Sequence, residues 1–158
     1  GYDDLLVGAF NNNSAGDRSG AAYIIAGPGI QTGSLSASGT RLLGESGDCA
    51  GSSIASAGDV DGDGRPDLIV GAYRPTDTGR IYLVYGPITG AYNLTDADAM
   101  FIGENSNDIA GYAVGRGSDL DADGHSDLLF GAPHNGATGE DAGAAYVVLF
   151  ETMMQLPE

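Results

Sequence analysis

The sequence predicts an all-β protein built from β-propeller blades, each a sheet of four antiparallel strands. Three observations support this fold class: a repeat of about 60 residues, short apolar strands that end at a Gly-Ala dipeptide, and many residues suited to tight turns. The 158 residues include 27 glycines, and glycine at this density is typical of a chain with many turns. Four short strands in a repeat of this length have the size of one propeller blade.

The repeat is visible in landmarks that recur at nearly constant spacing. Gly8-Ala9, Gly71-Ala72 and Gly131-Ala132 each end an apolar run, and Leu43-Gly44-Glu45 returns as Ile102-Gly103-Glu104. A four-stranded sheet that is apolar on both faces must be covered by neighbours of the same kind. The landmarks therefore indicate repeated units that pack on one another.

The spacing divides the chain into three units that do not complete a ring. Residues 1–50 form a partial first blade, 51–110 a complete blade and 111–158 a partial third blade. Closed propellers have about 4–8 blades, so we expect the missing blades to come from elsewhere. Because the chain starts inside a repeat and without an initiator methionine, we expect it to be a processed product or a fragment.

Within a unit, the elements follow in a regular order. Strand one enters an acidic loop, strand two leaves it as a continuous apolar run, strand three is rich in aromatic and β-branched residues, and strand four follows a polar segment. The predicted ranges are 52–58 or 112–117, 68–70 or 128–130, 81–85 or 145–150, and 100–102, with the polar segment at 89–97. A short helix from 96 to 98 is a weaker alternative. Residues 151–158 match the start of a fourth strand poorly.

Two nine-residue loops contain alternating aspartates and are the candidate functional sites. Calcium takes about 6–8 oxygen ligands, and a tightly curved loop places alternate carboxylates on one side, with Gly64 and Gly124 supplying the turn. We therefore predict one calcium ion in each loop. The predicted ligands are the carboxylates of Asp59, Asp61, Asp63 and Asp67 with the carbonyl of Arg65, and the carboxylates of Asp119, Asp121, Asp123 and Asp127 with the carbonyl of His125.

The acidic loops also admit two other interpretations. An EF-hand requires a glutamate at loop position twelve and flanking helices, whereas that position holds Val70 or Phe130 inside a predicted strand. Plain solvated hairpins remain the alternative to calcium. The start of the chain retains only Tyr2 and Asp4 of a third loop, so a metal there would require ligands from outside this chain, and we claim no third site.

The charge balance narrows the class of partner. The chain has 22 acidic and 6 basic residues and a net charge of -16. This argues against nucleic acid and anionic membranes, which both attract basic surfaces, and favours cations. No run approaches the ~20 apolar residues needed to span a bilayer, so membrane insertion is not expected. The single cysteine, Cys49, is interpreted as a packed small residue, with an intermolecular disulfide as the alternative.

The sequence around the second loop resembles the FG-GAP repeats of integrin α-subunit β-propellers and their bacterial relatives. The resemblance lies in Gly111-Tyr112-Ala113-Val114-Gly115 before the loop and Phe130-Gly131-Ala132-Pro133 after it. The first copy departs from the pattern, with Ile54-Ala55 and Ala72-Tyr73 at the corresponding places. The resemblance implies a seven-bladed propeller with calcium in hairpin loops on one rim. It does not imply a particular ligand.

The function that we expect is a calcium-stabilised extracellular, secreted or cell-surface module for adhesion or for recognition of a protein or glycan. No residue arrangement indicates catalysis, so we expect no enzyme activity. Two alternatives remain. One is a self-assembling filament or surface-layer subunit, whose open blade edges pair with copies of itself. The other is a non-catalytic propeller belonging to a secreted hydrolase or lyase.

Overall fold

The structure is a computed structural model that describes residues 3–27, 33–37, 39–74 and 77–150. The described residues contain β-strands and two short 3-10 turns, at Leu35–Ala37 and Leu94–Asp96. The strands are β1 (Leu5–Ala9), β2 (Ala21–Ile25), β3 (Thr40–Leu43), β4 (Ala50–Gly58), β5 (Asp67–Ala72), β6 (Arg80–Val84), β7 (Ala91–Asn93), β8 (Ala99–Ile102), β9 (Ala113–Val114), β10 (Leu128–Ala132) and β11 (Ala144–Val148).

The second blade is a sheet in the order β4-β5-β6-β8, with every pair antiparallel. This confirms the predicted four-stranded blade. Every residue of β5 is buried, because other sheets cover both of its faces. β4 begins at Ala50, two residues before the predicted start, and its pairing with β5 is irregular between Ser56 and Gly58 as the chain enters the acidic loop.

The first sheet has the order β1-β2-β3-β7, and its last strand was not predicted. β7 comes from the segment 89–97, which was expected to be an irregular polar connection. It pairs parallel to β3, with Arg41 opposite Ala91 and Leu43 opposite Asn93. The edge of β3 carries backbone groups that need partners. The loop of the second blade supplies them, so sheet pairing overrides the polar composition of this segment.

The third sheet has the order β11-β10-β9. β9 is shorter than the predicted strand, because only Ala113 and Val114 pair with β10. The expectation of burial on both faces is also wrong for β10, where Leu129 is 43% exposed. In the described part of the chain, no sheet packs over that side. The weak strand match at 151–158 lies outside the described residues.

Two apolar clusters hold the three sheets together. One joins the first and second sheets through residues such as Leu42 and Val70, and the other joins the second and third through residues such as Ile69 and Phe130. Each cluster combines side chains from the facing sides of two adjacent sheets. The sheets therefore pack face to face, as propeller blades do, and this confirms the predicted fold class.

The repeated Gly-Ala landmark has a packing reason. A Cβ atom on Gly8 would lie 2.1 Å from the carbonyl oxygen of Gly51, and one on Gly71 would lie 2.0 Å from that of Gly111. Each glycine thus lets strand two of one blade approach the backbone of the next. Any side chain at these positions would push the blades apart.

In the second and third blades, a buried aspartate holds the turn that precedes the first strand of the blade. Asp48 is 0% exposed and accepts hydrogen bonds from the backbone N–H of Glu45 (3.1 Å), the Tyr82 hydroxyl (2.7 Å) and Arg74 Nη1 (2.8 Å). Asp108 takes the same place in the third blade. It accepts from the backbone N–H of Asn105 at 3.0 Å and from the amide of Asn135 at 2.8 Å. The buried aspartate thus pairs with a charged arginine in the second blade and with an uncharged asparagine in the third.

The three-unit division of the chain stays a prediction, and the sheets of the described residues do not close into a ring. Cys49 is fully buried, as expected for a packed small residue. None of the described helical segments is long and apolar enough to cross a membrane.

Candidate metal centre

The two acidic loops lie at the same end of adjacent blades. The first connects β4 to β5 and the second connects β9 to β10. Both are hairpin connections between strands one and two of their blade. The first candidate centre is thus attached to the fully buried strand β5, and the second to β10, which is exposed on one side.

The same set of hydrogen bonds curls both loops. In the first, Asp59 accepts from the N–H of Gly64 at 2.9 Å, Asp61 from that of Asp63 at 3.1 Å, and Asp63 from that of Arg65 at 2.8 Å. The second loop repeats these bonds at 3.0, 3.2 and 2.8 Å, between residues that occupy the same positions. Alternation of aspartate therefore shapes the loop as well as charging it.

The curl brings three carboxylates together in each loop. Carboxylate oxygens of Asp59, Asp61 and Asp67 lie within 4.8 Å of one another, as do those of Asp119, Asp121 and Asp127. Calcium–oxygen distances are about 2.3–2.6 Å, so oxygens at this separation can share one ion. Asp63 and Asp123, also predicted as ligands, are outside these two groups. The ligand role of the Arg65 and His125 carbonyls stays a prediction.

One oxygen in the first loop is unsatisfied by the protein. Asp59 Oδ1 is buried and has no hydrogen-bond partner among the described residues, and burying a carboxylate oxygen in this way is costly. Its counterpart, Asp119 Oδ1, accepts from the N–H of Asp123 at 3.1 Å. The side chains gathered here offer only carboxylate oxygens as metal ligands. Such ligands suit a hard cation such as calcium.

The fourth aspartate of each loop also joins two parts of its blade. Asp67 Oδ2 accepts from the N–H of Val60 at 2.7 Å, and its Oδ1 accepts from that of Gly86 at 2.9 Å, just after β6. Asp127 makes the same two bonds, to Leu120 at 2.7 Å and Phe150 at 3.1 Å.

This structural role was missed in the sequence, where both residues were interpreted as metal ligands alone. Asp4, at the corresponding place in the first unit, accepts from the N–H of Gly27 at 2.9 Å. Tyr2 lies outside the described residues. The recurrence of an aspartate before each strand two, even where the rest of the loop is absent, was the available signal.

Electrostatics oppose the assembly of each loop. Burial is the main cause that raises the pKa of Asp67, and the charge of Asp61 adds to it, while the N–H groups of Gly86 and Val60 act in the opposite direction. Partial desolvation and then the charge of Asp123 raise the pKa of Asp121. A bound cation would offset this repulsion.

The two loops touch each other. The N–H of Ser126 donates to the carbonyl of Asp59 at 2.8 Å, and His125 Nδ1 lies 3.1 Å from the carbonyl oxygen of Val60. The His125 ring contacts the first loop and is only partly exposed. The other histidine, His134, pairs instead with Asp141 at 3.0 Å.

Comparison with known proteins identifies the repeat. Residues 50–84 and 110–148 match the FG-GAP repeat family. The chain is 35% identical to human integrin alpha-IIb over 90 residues, which is 51% of this chain and 9% of that protein. It is also 35% identical to Drosophila melanogaster integrin alpha-PS5 over 97 residues, 59% of this chain and 10% of that protein.

Mouse integrin alpha-IIb is 34% identical over 91 residues, covering 52% of this chain and 9% of that protein. The chain thus spans about a tenth of the length of these curated relatives. It contains FG-GAP repeats in two places, and it is similar to integrin alpha subunits over about half of its own length.

Proposed function

We propose that this chain, which contains two FG-GAP repeats, is a calcium-stabilised segment of an extracellular β-propeller that acts in adhesion or in recognition of a protein or glycan, without catalysis. The observation that carries the proposal is the buried, unpartnered Asp59 Oδ1 within a group of three carboxylates. A cation at this place would complete the coordination that the protein alone leaves open.

The adhesion part of the proposal is supported by the similarity to integrin alpha subunits. The calcium part is supported by the donor set, since oxygen-only sites suit hard cations. An extracellular location agrees with a calcium site of modest affinity, because extracellular modules work with dissociation constants of about 10⁻⁴–10⁻³ M. The recognised partner is a protein or glycan surface whose identity stays open.

A calcium titration by calorimetry tests the proposal. We expect about two ions per chain, with Asp61→Asn and Asp121→Asn each removing about one, because each residue belongs to one three-carboxylate group. Calcium at a hundred times its dissociation constant should stabilise the fold by about 2.7 kcal/mol for each occupied site. A chelator should lower the melting temperature accordingly. Identical melting with and without the chelator would overturn the calcium part.

Self-assembly is the second candidate, and a specific observation favours it. On the third sheet, Leu129, Val147 and Leu149 are 43%, 52% and 51% exposed, and apolar residues at the same face of the second sheet are buried between blades. A further blade of any source would cover them. Measuring the mass in solution with calcium discriminates the candidates, because rings or polymers favour assembly and a monomer favours the recognition module.

A further inference from the structure

We infer that the two acidic loops bind their cations cooperatively, because the second loop supports the backbone of the first. The inference rests on the proposed function, since it concerns the same two cation sites. It adds that the affinity of the first loop depends on whether the second is loaded.

The supporting contacts reach the residues that begin the first loop. Ser126 donates its N–H to the carbonyl of Asp59 at 2.8 Å, and His125 Nδ1 lies 3.1 Å from the carbonyl oxygen of Val60. Asp59 is also the residue whose carboxylate oxygen is buried and unpartnered. The second loop therefore holds the backbone that aims this oxygen.

The supporting residues are themselves held by the carboxylates of the second loop. The N–H of His125 donates to Asp123 Oδ1 at 2.8 Å, and Ser126 lies immediately before Asp127. Without a cation, repulsion among the gathered carboxylates opposes the curl that places His125. Cation binding to the second loop should therefore stabilise the backbone conformation of the first loop.

The first loop is shaped to receive the second. A Cβ atom on Gly62 would lie 2.6 Å from His125 Cε1. The corresponding residue of the second loop is Ala122, which has a similar backbone conformation, φ 65° against 77°, and is exposed. An alanine is thus compatible with this turn where no neighbouring loop leans on it. The glycine of the first loop thus leaves room for the His125 ring.

Arg65 provides the matched position for comparison. It takes the place of His125 in the first loop, but 59% of its side chain is exposed, and it forms an ion pair at 3.8 Å with Asp63 of its own loop. Since binding linkage is reciprocal, the first cation should favour the second by the same factor. We expect a coupling of about fivefold or more, the lower end of typical values.

Terbium, a luminescent substitute for calcium, can report the first site selectively. Tyr85 immediately precedes Gly86, whose N–H donates to Asp67 of the first loop at 2.9 Å, whereas Leu149 holds the corresponding place before Phe150, which donates to Asp127 of the second loop. Luminescence excited through tyrosine should therefore arise from the first site. Tyr85→Phe should remove the signal, and this checks the assignment.

The test compares terbium titrations of the whole chain and its variants. Asp121→Asn disables the second site without touching the bonds of Asp127, and we expect the first-site midpoint to rise about fivefold or more. His125→Ala should reproduce most of that rise with both sets of carboxylates intact. His134→Ala, which removes a histidine paired with Asp141 rather than with either loop, should leave the midpoint unchanged. Circular dichroism of each variant confirms that the sheets are retained.

The outcomes separate the two proposals. If Asp121→Asn and His125→Ala both leave the first-site midpoint unchanged, the coupling is wrong while the cation sites stand. An equal rise with His134→Ala would also overturn it, because the effect would then not depend on the contact between loops. If neither terbium luminescence nor calcium heat is seen with the unaltered chain, the proposed function fails, and the coupling fails with it.

Discussion

The second and third blades carry nearly the same acidic loop, yet the loops have different surroundings. Their internal hydrogen bonds agree in partners and in length to within about 0.2 Å. Outside the loops the blades diverge. The first loop is contacted by its neighbour and contains a buried unpartnered oxygen, while the second is open and satisfies the matching oxygen through Asp123.

The turns at the opposite end of the same blades show a similar contrast. Asp48 meets a guanidinium, Arg74, and a buried phenol, whereas Asp108 meets the amide of Asn135. The repeat therefore preserves the backbone contacts of each aspartate and lets its side-chain partners vary. The motif thus determines the local backbone geometry, whereas the neighbouring side chains determine how much each aspartate contributes to stability.

The largest effect that tests this comparison is expected from the aspartates that join the loop to strand three. Asp67→Ala and Asp127→Ala each remove two hydrogen bonds to a buried carboxylate, at about 1.5–3 kcal/mol per bond. We expect each to lower the free energy of unfolding by about 3–5 kcal/mol in urea titrations with chelator present. Asp63→Ala, the control, should cost much less. A loss below 1 kcal/mol for Asp67→Ala would show that the joining role is negligible.

A smaller and unequal effect is expected at the turns. Asp48→Ala leaves Arg74 without its buried partner, although Arg74 keeps Asp77 at 2.8 Å, so we expect a loss of about 2–3 kcal/mol. Asp108→Ala leaves only uncharged donors and should cost about 1–2 kcal/mol. Chemical denaturation measures both. Equal losses would contradict the claim that the charged partner sets the difference.

The contact between the loops can be broken from the side of the first. Gly62→Ala should lower stability by about 1–2 kcal/mol, through its positive φ and the collision with His125. Ala122→Gly should be neutral or slightly stabilising, since glycine suits that φ at no steric cost. Thermal melting of both variants, and of Gly62→Ala combined with His125→Ala, measures the contact. The double variant should recover part of the loss, and no recovery would mean that backbone strain alone is responsible.

The smallest effect concerns alkaline pH. Burial, and then the hydrogen bond to Asp48, raises the pKa of Tyr82 above its usual value near 10. The folded state therefore keeps its proton more tightly, and this stabilisation is complete below pH 10 and is lost as pH rises further. The melting temperature of Tyr82→Phe should depend less on pH, between pH 9 and 11, than that of the unaltered chain. Tyr146→Phe, at the matching place in the third blade, should change the slope less.

The sequence predicted the strands that the repeat marks and missed those that it does not. Gly71-Ala72 and Gly131-Ala132 end strands where expected, and at Gly71 the close approach of the next blade's backbone leaves no room for a side chain. β7 was missed because its pairing depends on an edge about 50 residues earlier, and the polar composition of residues 89–97 carries no trace of that partner. The exposure of Leu129 was missed for the same reason, since burial depends on neighbours.

For the candidate site, too, the sequence predicted the local arrangement and missed the long-range contacts. Alternation and glycine placement were sufficient to predict the gathering of Asp59, Asp61 and Asp67, because they act within nine residues. The double role of Asp67 and the contact of His125 with the first loop involve residues that are distant in sequence. Spacing alone does not reveal such contacts, so the sequence predicted the ligand chemistry better than the support of the site.

The parallel strand β7 ties the order of folding to the order of synthesis. The first sheet keeps an open edge along β3 until β7 has left the ribosome, about 50 residues later. By then most of the second blade has also been made, so the two blades acquire their final pairing together. Such a long-range closure slows folding, but it also joins the connection between β6 and β8 to the edge of the first sheet. The repeat is continuous in sequence, whereas the unit that folds extends across a blade boundary.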